Sequence, residues 1–317
     1  MSGFAYRVKD GRADRVDLND ALADGADMVW VHLSTNEARA QAWLRDRAKL
    51  DDYAVESLTA TETRPRCDAV GNAAFLNMRG RSKDETTSTD PLSSVRIWAT
   101  RGQVFSVTRQ PLLALDAVVS AVEGGQIRDP GDLIAQFAAA ITTDLDPEVA
   151  ALGDELDDCE ERLDANRVFE LRRAVTHVRV AAIGYRRFLS PQRQALEKLA
   201  TLPGDWLQDD DRLHLSAAAD RAARMAEELE SIRERSSLMH EALTDLRAEQ
   251  IDQRSLLISI VAMVFLPLTF LTGLYGMNVE GLPFAKEPWG FAMVAGMCVV
   301  VTIGIVAYFL KRHWFTR

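Results

Sequence analysis

The sequence holds three cysteines, Cys67, Cys159 and Cys298, which are far apart and form no CxxC pair. That excludes a disulfide framework and a cysteine zinc knuckle. The opening residues, MSGFAYRVKDGRADRVD, lack the apolar run of a signal peptide, so the N-terminal body is expected to stay in the cytoplasm. There is no nucleophile–base constellation, Gly-rich phosphate loop or HExxH, which speaks against an enzyme and against an ATP-driven mechanism. Basic excess is lacking too. The formal net charge is −10, and the acidity lies upstream of the C-terminal region. This argues against nucleic acid as a partner and for tolerance of cations.

Two more absences place a membrane part. Leu256–Tyr275 and Trp289–Leu310 carry no charged residue. At about 20 residues, each has the length a helix needs to cross about 30 Å of hydrocarbon. Between Asp205 and Leu266 there is neither proline nor glycine. A helix over that stretch would run about 90 Å at about 1.5 Å per residue, from a water-exposed body straight into the lipid bilayer.

The first 110 or so residues mix strand and helix signals. Met28–Leu33, Ala73–Met78, Val95–Ala99 and Val104–Thr108 are short, β-branched or aromatic, and bounded by Gly, Asp or Asn. Thr100-Arg101-Gly102-Gln103 joins the last two as a hairpin turn, with the glycine supplying the special backbone angle. Asn36–Ala48 and Asp51–Ala60 read as helices. Asp146-Pro147 has the form of a helix start, cap followed by proline, and Pro191 and Pro203-Gly204 read as the next breaks. The expected class is α+β, divided as follows: a cytosolic α/β domain over 1–145, a helical region and long stalk helix over 146–254, a pore-lining span over 255–275, an external loop over 276–288, a second span over 289–310 and a basic tail over 311–317.

The long helix carries two stripes. Ala222, Met225, Leu229, Ile232, Ser236, Met239, Leu243 and Leu246 alternate steps of three and four, as a seam that packs on neighbouring helices does. The second stripe has the same stepping: Glu241, Asp245, Ala248, Asp252, Ser255, Ser259, Ala262, Leu266, Thr269, Gly273 and Gly276. It is acidic before the span and small or hydroxylated within it. Hydroxyls at membrane depth either bond a partner helix or line water, and the acidic continuation favours a pore. Ile258 and Leu266 are candidate apolar constrictions. The tail Lys311-Arg312-His313-Trp314-Phe315-Thr316-Arg317 and Arg254 are basic, whereas the loop between the spans holds only Lys286. By the positive-inside rule both termini are cytoplasmic. Two helices per chain cannot enclose a channel, so transport requires a closed oligomer.

Tyr275-Gly276-Met277-Asn278, at the outer end of the first span, resembles the YGMN signature of the CorA superfamily of divalent-cation transporters. Phe265-Leu266-Pro267-Leu268-Thr269-Phe270 is similar to the family's proline-containing segment, and the basic tail matches as well. Within the superfamily the chain looks closest to the ZntB zinc-transporter branch. The residues that carry this are Leu282-Pro283, Pro288-Trp289-Gly290-Phe291, Trp30-Val31-His32-Leu33 and Glu62-Thr63-Arg64-Pro65-Arg66. The resemblance implies a funnel-shaped homopentamer in the inner membrane, a pore lined by the first span, a selectivity loop of Gly276, Met277 and Asn278, and Zn²⁺ uptake coupled to protons. Tyr275 with Glu280 and Glu287 is closer to the magnesium-transporting members, so a Mg²⁺/Co²⁺ channel is the alternative.

The chemistry fits a hydrated ion. Mg²⁺ keeps several waters, and the Asn278 amide and Gly276 carbonyl can accept hydrogen bonds from them. Asn278 is thus a metal-site candidate through hydration water, with Glu280 beside it. No Cys or His lies on the pore stripe, so zinc would pass hydrated. No cofactor is expected beyond the transported ion. His32, His177, His214 and His240 lack ligand spacing and read as structural. The run Asp154–Asp164 around Cys159 reads as a solvated face, and Arg64 and Arg66 as salt-bridge partners rather than an anion site. The remaining rival is a binding domain held by a membrane anchor that transports nothing.

Overall fold

A computed structural model describes residues 3–34, 38–62, 64–83, 91–277, 281, 283 and 287–311. The chain divides into two compact units: Met1–Leu163 with Phe169–His240, and Asp164–Val168 with Glu241–Arg317.

In the first unit, seven strands form one sheet: β1 (Gly3–Lys9), β2 (Arg12–Val16), β3 (Met28–Leu33), β4 (Arg66–Val70), β5 (Ala73–Arg81), β6 (Leu92–Thr100) and β7 (Gln103–Thr108). The order is β2-β1-β3-β7-β6-β5-β4, with only β3 and β7 parallel. Each of the four expected strands is present, and three of them run longer than their apolar cores suggested. Thr100 pairs with Gln103 across Arg101-Gly102, and Gly102 takes φ +75° there, a left-handed angle that glycine adopts at little cost. The strands β1, β2 and β4 went unread. Their sequences, GFAYRVK, RADRV and RCDAV, interleave charge with apolar residues, as edge or near-edge strands do.

Helices cover both sheet faces. Helices α1 (Ala38–Asp46) and α2 (Asp52–Thr59) pack with Val31, Leu33, Phe75, Trp98, Phe105 and Val107. Asp51 caps α2 by accepting from the Ala54 amide at 2.7 Å. On the other face lie α3 (Ala114–Glu123) and α4 (Pro130–Glu161), with Phe137 edge-on to Trp30 at 5.8 Å. Gly80 permits this approach, because a Cβ there would lie 3.0 Å from side-chain atoms of Ile141 and Leu112. Both faces are therefore buried, and β3, β5 and β6 are buried along nearly their whole length.

One helix boundary departs from expectation. Asp146-Pro147 begins no helix, since Pro147 lies inside α4, and the proposed division at residue 145 falls within that helix. The same cap-plus-proline signature operates earlier, where Asp129 accepts from the Asp132 amide and Pro130 opens the helix. Pro147 removes one backbone hydrogen bond, but Ile141, Leu145, Val149 and Leu152 on either side are buried and hold the helix together. Pro191 is likewise inside α5 (Val168–Ala200).

Helix α6 (Asp209–Tyr275) is 67 residues long, uninterrupted even by Pro267. It gives Asp209–His240 to the first unit and Glu241–Tyr275 to the second. Its seam is buried at every position from Ala222 to Leu243, and Leu246 is half-buried. Helix α7 (Gly290–Lys311) completes the second unit.

Candidate ion pathway

In the second unit, α6 and α7 are each long and apolar enough to cross a membrane. Within the first span the least exposed residues are Leu256, Ile260, Val264, Pro267, Leu268, Leu271 and Tyr275. In α7 they are Gly290, Met293, Val294, Cys298, Val301, Thr302, Ile305 and Phe309. Both sets recur every three or four residues, so one face of each helix is covered and the remainder is open.

The second stripe lies on the open side. Glu241, Asp245, Ala248, Asp252, Ser255, Ser259, Ala262, Leu266, Thr269, Gly273 and Gly276 are all exposed in the single chain. Leu266 and Ile258, the candidate constrictions, are among its most exposed apolar residues, at 75% and 69%. The hydroxyls have a defined polarity. Ser259 Oγ donates to the Ser255 carbonyl at 2.9 Å, Thr269 Oγ1 to Phe265 at 2.7 Å and Thr272 Oγ1 to Leu268 at 3.0 Å. A hydroxyl has one proton, and here the helix takes it, leaving lone pairs to face outward. Pro267 has no N–H, so the Met263 carbonyl loses its intrahelical donor as well. The open face is thus rich in acceptors, which suits an ion that arrives wrapped in water hydrogens.

At the end of the span the Gly276 amide donates to the Thr272 carbonyl at 2.9 Å, and the Met277 amide to Leu274 at 3.4 Å. A Cβ on Gly276 would stand 3.1 Å from the Thr272 carbonyl oxygen. Asn278 and Glu280 lie outside the described residues, as do Lys286 and the tail beyond Lys311.

His32 and the acidic run find structural roles. His32 is fully buried, within 2.8 Å of Ser106 Oγ and 3.3 Å of Thr108 Oγ1, and stacks on Phe4. Burial pushes its pKa down to about 3, so it stays neutral. His177 Nδ1 lies 3.5 Å from Glu155 Oε1 at the rim of a cavity of about 520 Å³ between α4 and α5, one ligand short of the three a catalytic zinc site uses. In the acidic run, Arg235 binds Glu160 at 2.8 Å and also Asp157, while Arg162 lies 3.2 Å from Asp158. Cys159 is buried, and burial, with Glu155 and Asp158 adding, raises its thiol pKa.

One cluster went unread in the sequence. Carboxylate oxygens of Asp129, Asp132 and Asp211 all lie within 4.8 Å of one another, the only such acidic, His or Cys group among the described residues. Each also caps local backbone: Asp129 at the Asp132 amide, Asp132 at Arg128, and Asp211 at Gln208. Asp211 is 1% exposed. Burial, with Asp129, Asp132 and Asp210 adding, pushes its pKa up to about 6. The only sequence signal was two separate Asp-rich helix starts, and nothing local joins them.

Comparison with known proteins follows the same outline. The family model described as CorA-like Mg²⁺ transporter protein matches residues 25–312. Zinc transport protein ZntB of Pectobacterium atrosepticum is 30% identical over 284 residues, covering 89% of this chain and 86% of the relative. Divalent cation transporter CmaX of Pseudomonas aeruginosa is 32% identical over 292 residues, covering 91% and 86%. A solved structure of a full-length CmaX protein superposes with TM-score 0.80 at 30% identity, covering 98% of both chains. The CorA magnesium transporter of Methanocaldococcus jannaschii shares the fold, with TM-score 0.83 over 99% of both chains at 16% identity. The chain therefore belongs to the CorA-like Mg²⁺ transporter protein family, where its relatives include those named zinc transport protein ZntB.

Proposed function

We propose that the protein moves divalent metal cations across the inner membrane through a homopentameric pore, that Zn²⁺ is the ion carried, and that uptake is coupled to protons. The observation that carries this reading is the open face of the first span. It holds Ser255, Ser259 and Thr269, whereas the covered face between Leu256 and Leu271 is wholly apolar. Placed around a five-fold axis, those hydroxyls form successive acceptor rings, with Glu241, Asp245 and Asp252 as acidic rings on the cytoplasmic side. Gly276, Met277 and Asn278 form the outer selectivity loop, where Asn278 holds the ion through its hydration water. Both termini and the 1–145 and 146–254 regions are cytoplasmic, the loop over 276–288 is external, and the spans cover 255–275 and 289–310. The names of the relatives, zinc transport protein and divalent cation transporter, support the cation class. The membrane potential supplies about 2.3 kcal/mol per elementary charge per 100 mV.

A Mg²⁺ channel is the second reading, favoured by Tyr275-Gly276-Met277-Asn278 and by a stripe without Cys or His. The deciding experiment reconstitutes the purified chain in liposomes with zinc- and magnesium-sensitive dyes, with and without a pH gradient. Zinc entry enhanced by an inward proton gradient is the expected result. Magnesium entry driven by voltage and indifferent to pH replaces it with the channel reading, and no flux of either ion leaves the membrane-anchor alternative.

A further inference from the structure

Helices α4 and α5 leave an open trough between them, the cavity of about 520 Å³ that His177 borders. It lies wholly within the first unit. Helix α4 lines it with Glu148, Ala151, Leu152 and Glu155, residues that step by three and four and so share one face. That face has a simple order. Glu148 and Glu155 stand at its ends, two helical turns or about 10.5 Å apart along the axis, and the apolar Ala151 and Leu152 lie between them. The facing wall on α5 is apolar as well. Val180 is 64% exposed there, and Gly184 contributes no side chain.

Gly184 keeps the trough open. It sits inside α5, where glycine costs stability relative to alanine. Its φ is not positive, and a Cβ built on it meets nothing within 4 Å. Neither the backbone nor the packing therefore calls for glycine here, and any side chain would enter the trough. The charge of the lining is one-sided. Among the described residues, its carboxylates are Glu148 and Glu155, and His177 adds positive charge only when protonated. Glu148 Oε1 accepts from Arg81 Nη1 at 2.8 Å, and Glu155 Oε1 lies 3.5 Å from His177 Nδ1. A carboxylate has about four lone-pair sites, so one such partner does not exhaust it. Both side chains reach solvent, at 35% and 41% exposure.

We propose that this trough binds a linear polyamine, with terminal ammonium groups on Glu148 and Glu155 and its methylenes along Ala151, Leu152 and Val180. An apolar floor with a carboxylate at each end is the complement of a flexible apolar chain with a positive charge at each end. Lysine stems lie on apolar surface in the same way, with the charged head in water. A simple divalent ion offers nothing to the apolar residues between the carboxylates, and an anionic amphiphile would be repelled by both. Length selects among amines. An extended triamine such as spermidine spans about two helical turns, whereas 1,4-diaminobutane is too short to reach both carboxylates. The bound chain would tie α4 to α5 along the trough.

The test is equilibrium dialysis of labelled spermidine against the full-length chain in phosphatidylcholine nanodiscs, at constant ionic strength and with empty nanodiscs as the blank. One saturable site per chain is expected, with 1,4-diaminobutane and Mg²⁺ each competing at least about tenfold more weakly, since they bury fewer methylenes or none. Glu155→Gln removes the charge at one end and should weaken binding several-fold. Gly184→Leu fills the trough and should weaken binding at least about tenfold. It should do so without lowering the melting temperature, because leucine is the better helix former. Circular dichroism checks the fold of both variants. Absence of saturable binding by the folded wild-type chain overturns the proposal. Binding that either folded variant retains at full strength also overturns it, by placing the amine elsewhere on this acidic chain. Equal competition by Mg²⁺ or 1,4-diaminobutane does so too, because the interaction would then be one of charge without length.

Discussion

At the residue scale, two side chains can be tested singly. Asn278→Ala removes the amide oxygen assigned to the hydrated ion. It should abolish cation flux in liposomes with the oligomer intact on native mass spectrometry; full flux from a folded variant would sink the role given to Asn278. Asp211 offers a pH test. Its folded pKa of about 6 lies above the ordinary 3.8. Between those values the folded chain holds a proton that the unfolded chain has released, so this group's contribution to stability falls as pH rises across the window. The ceiling is about 3 kcal/mol. Asp211→Asn keeps an acceptor for the Gln208 amide and should gain stability over wild type from pH 4.5 to 7.5. A difference in melting temperature that stays flat over that range would remove the shift. The Asp211 effect was invisible in the sequence, because Asp129 and Asp132 reach it only when the starts of α4 and α6 meet. The role proposed for Asn278, by contrast, rests on four consecutive letters, Tyr275-Gly276-Met277-Asn278.

At the element scale, α6 is the informative helix. Its seam was legible because a stepping of three and four is a local property of the chain, and the structure buries those positions from Ala222 to Leu243. Leu229→Ala, at a fully buried seam position, should cost about 2–5 kcal/mol in chemical denaturation. Leu238→Ala, 66% exposed on the same helix, should change stability by less than about 0.5 kcal/mol. Equal losses at the two sites would contradict the seam. Helix α4 carries the opposite lesson. The Asp-Pro signature occurs at both 129–130 and 146–147, and only burial of the flanking residues decides that the second continues a helix. The edge strand β2 and its neighbour β1 were missed for a related reason. Their charges face solvent, and their pairing partners supply the order that local propensity lacks.

At the scale of the whole molecule, the open face of the first span needs a partner. The assembly proposed here predicts a pentamer by native mass spectrometry. It also predicts that Ser259→Cys and Thr269→Cys, made in a chain lacking native cysteines, react with water-soluble thiol reagents in the membrane, while Ile260→Cys on the covered face does not. Unlabelled cysteines at 259 and 269 would favour the anchor without transport. The apolar exposure of Ile258, Leu266, Phe270 and Phe291 has the same meaning at this scale, since lipid or neighbouring protomers must cover it.

The sequence by itself determined the two spans, the long helix that feeds them, the four central strands and the family. All of these follow from length, periodicity and short contiguous motifs, which are properties of neighbours along the chain. Only the tertiary structure decided that His32 is a neutral core residue, that three aspartates converge at the starts of α4 and α6, and that Arg96 is buried with an unpartnered nitrogen. Each depends on strand register or helix docking between residues distant in sequence. Burial, which turns an ordinary charge into an unusual one, exists only after the layers have closed.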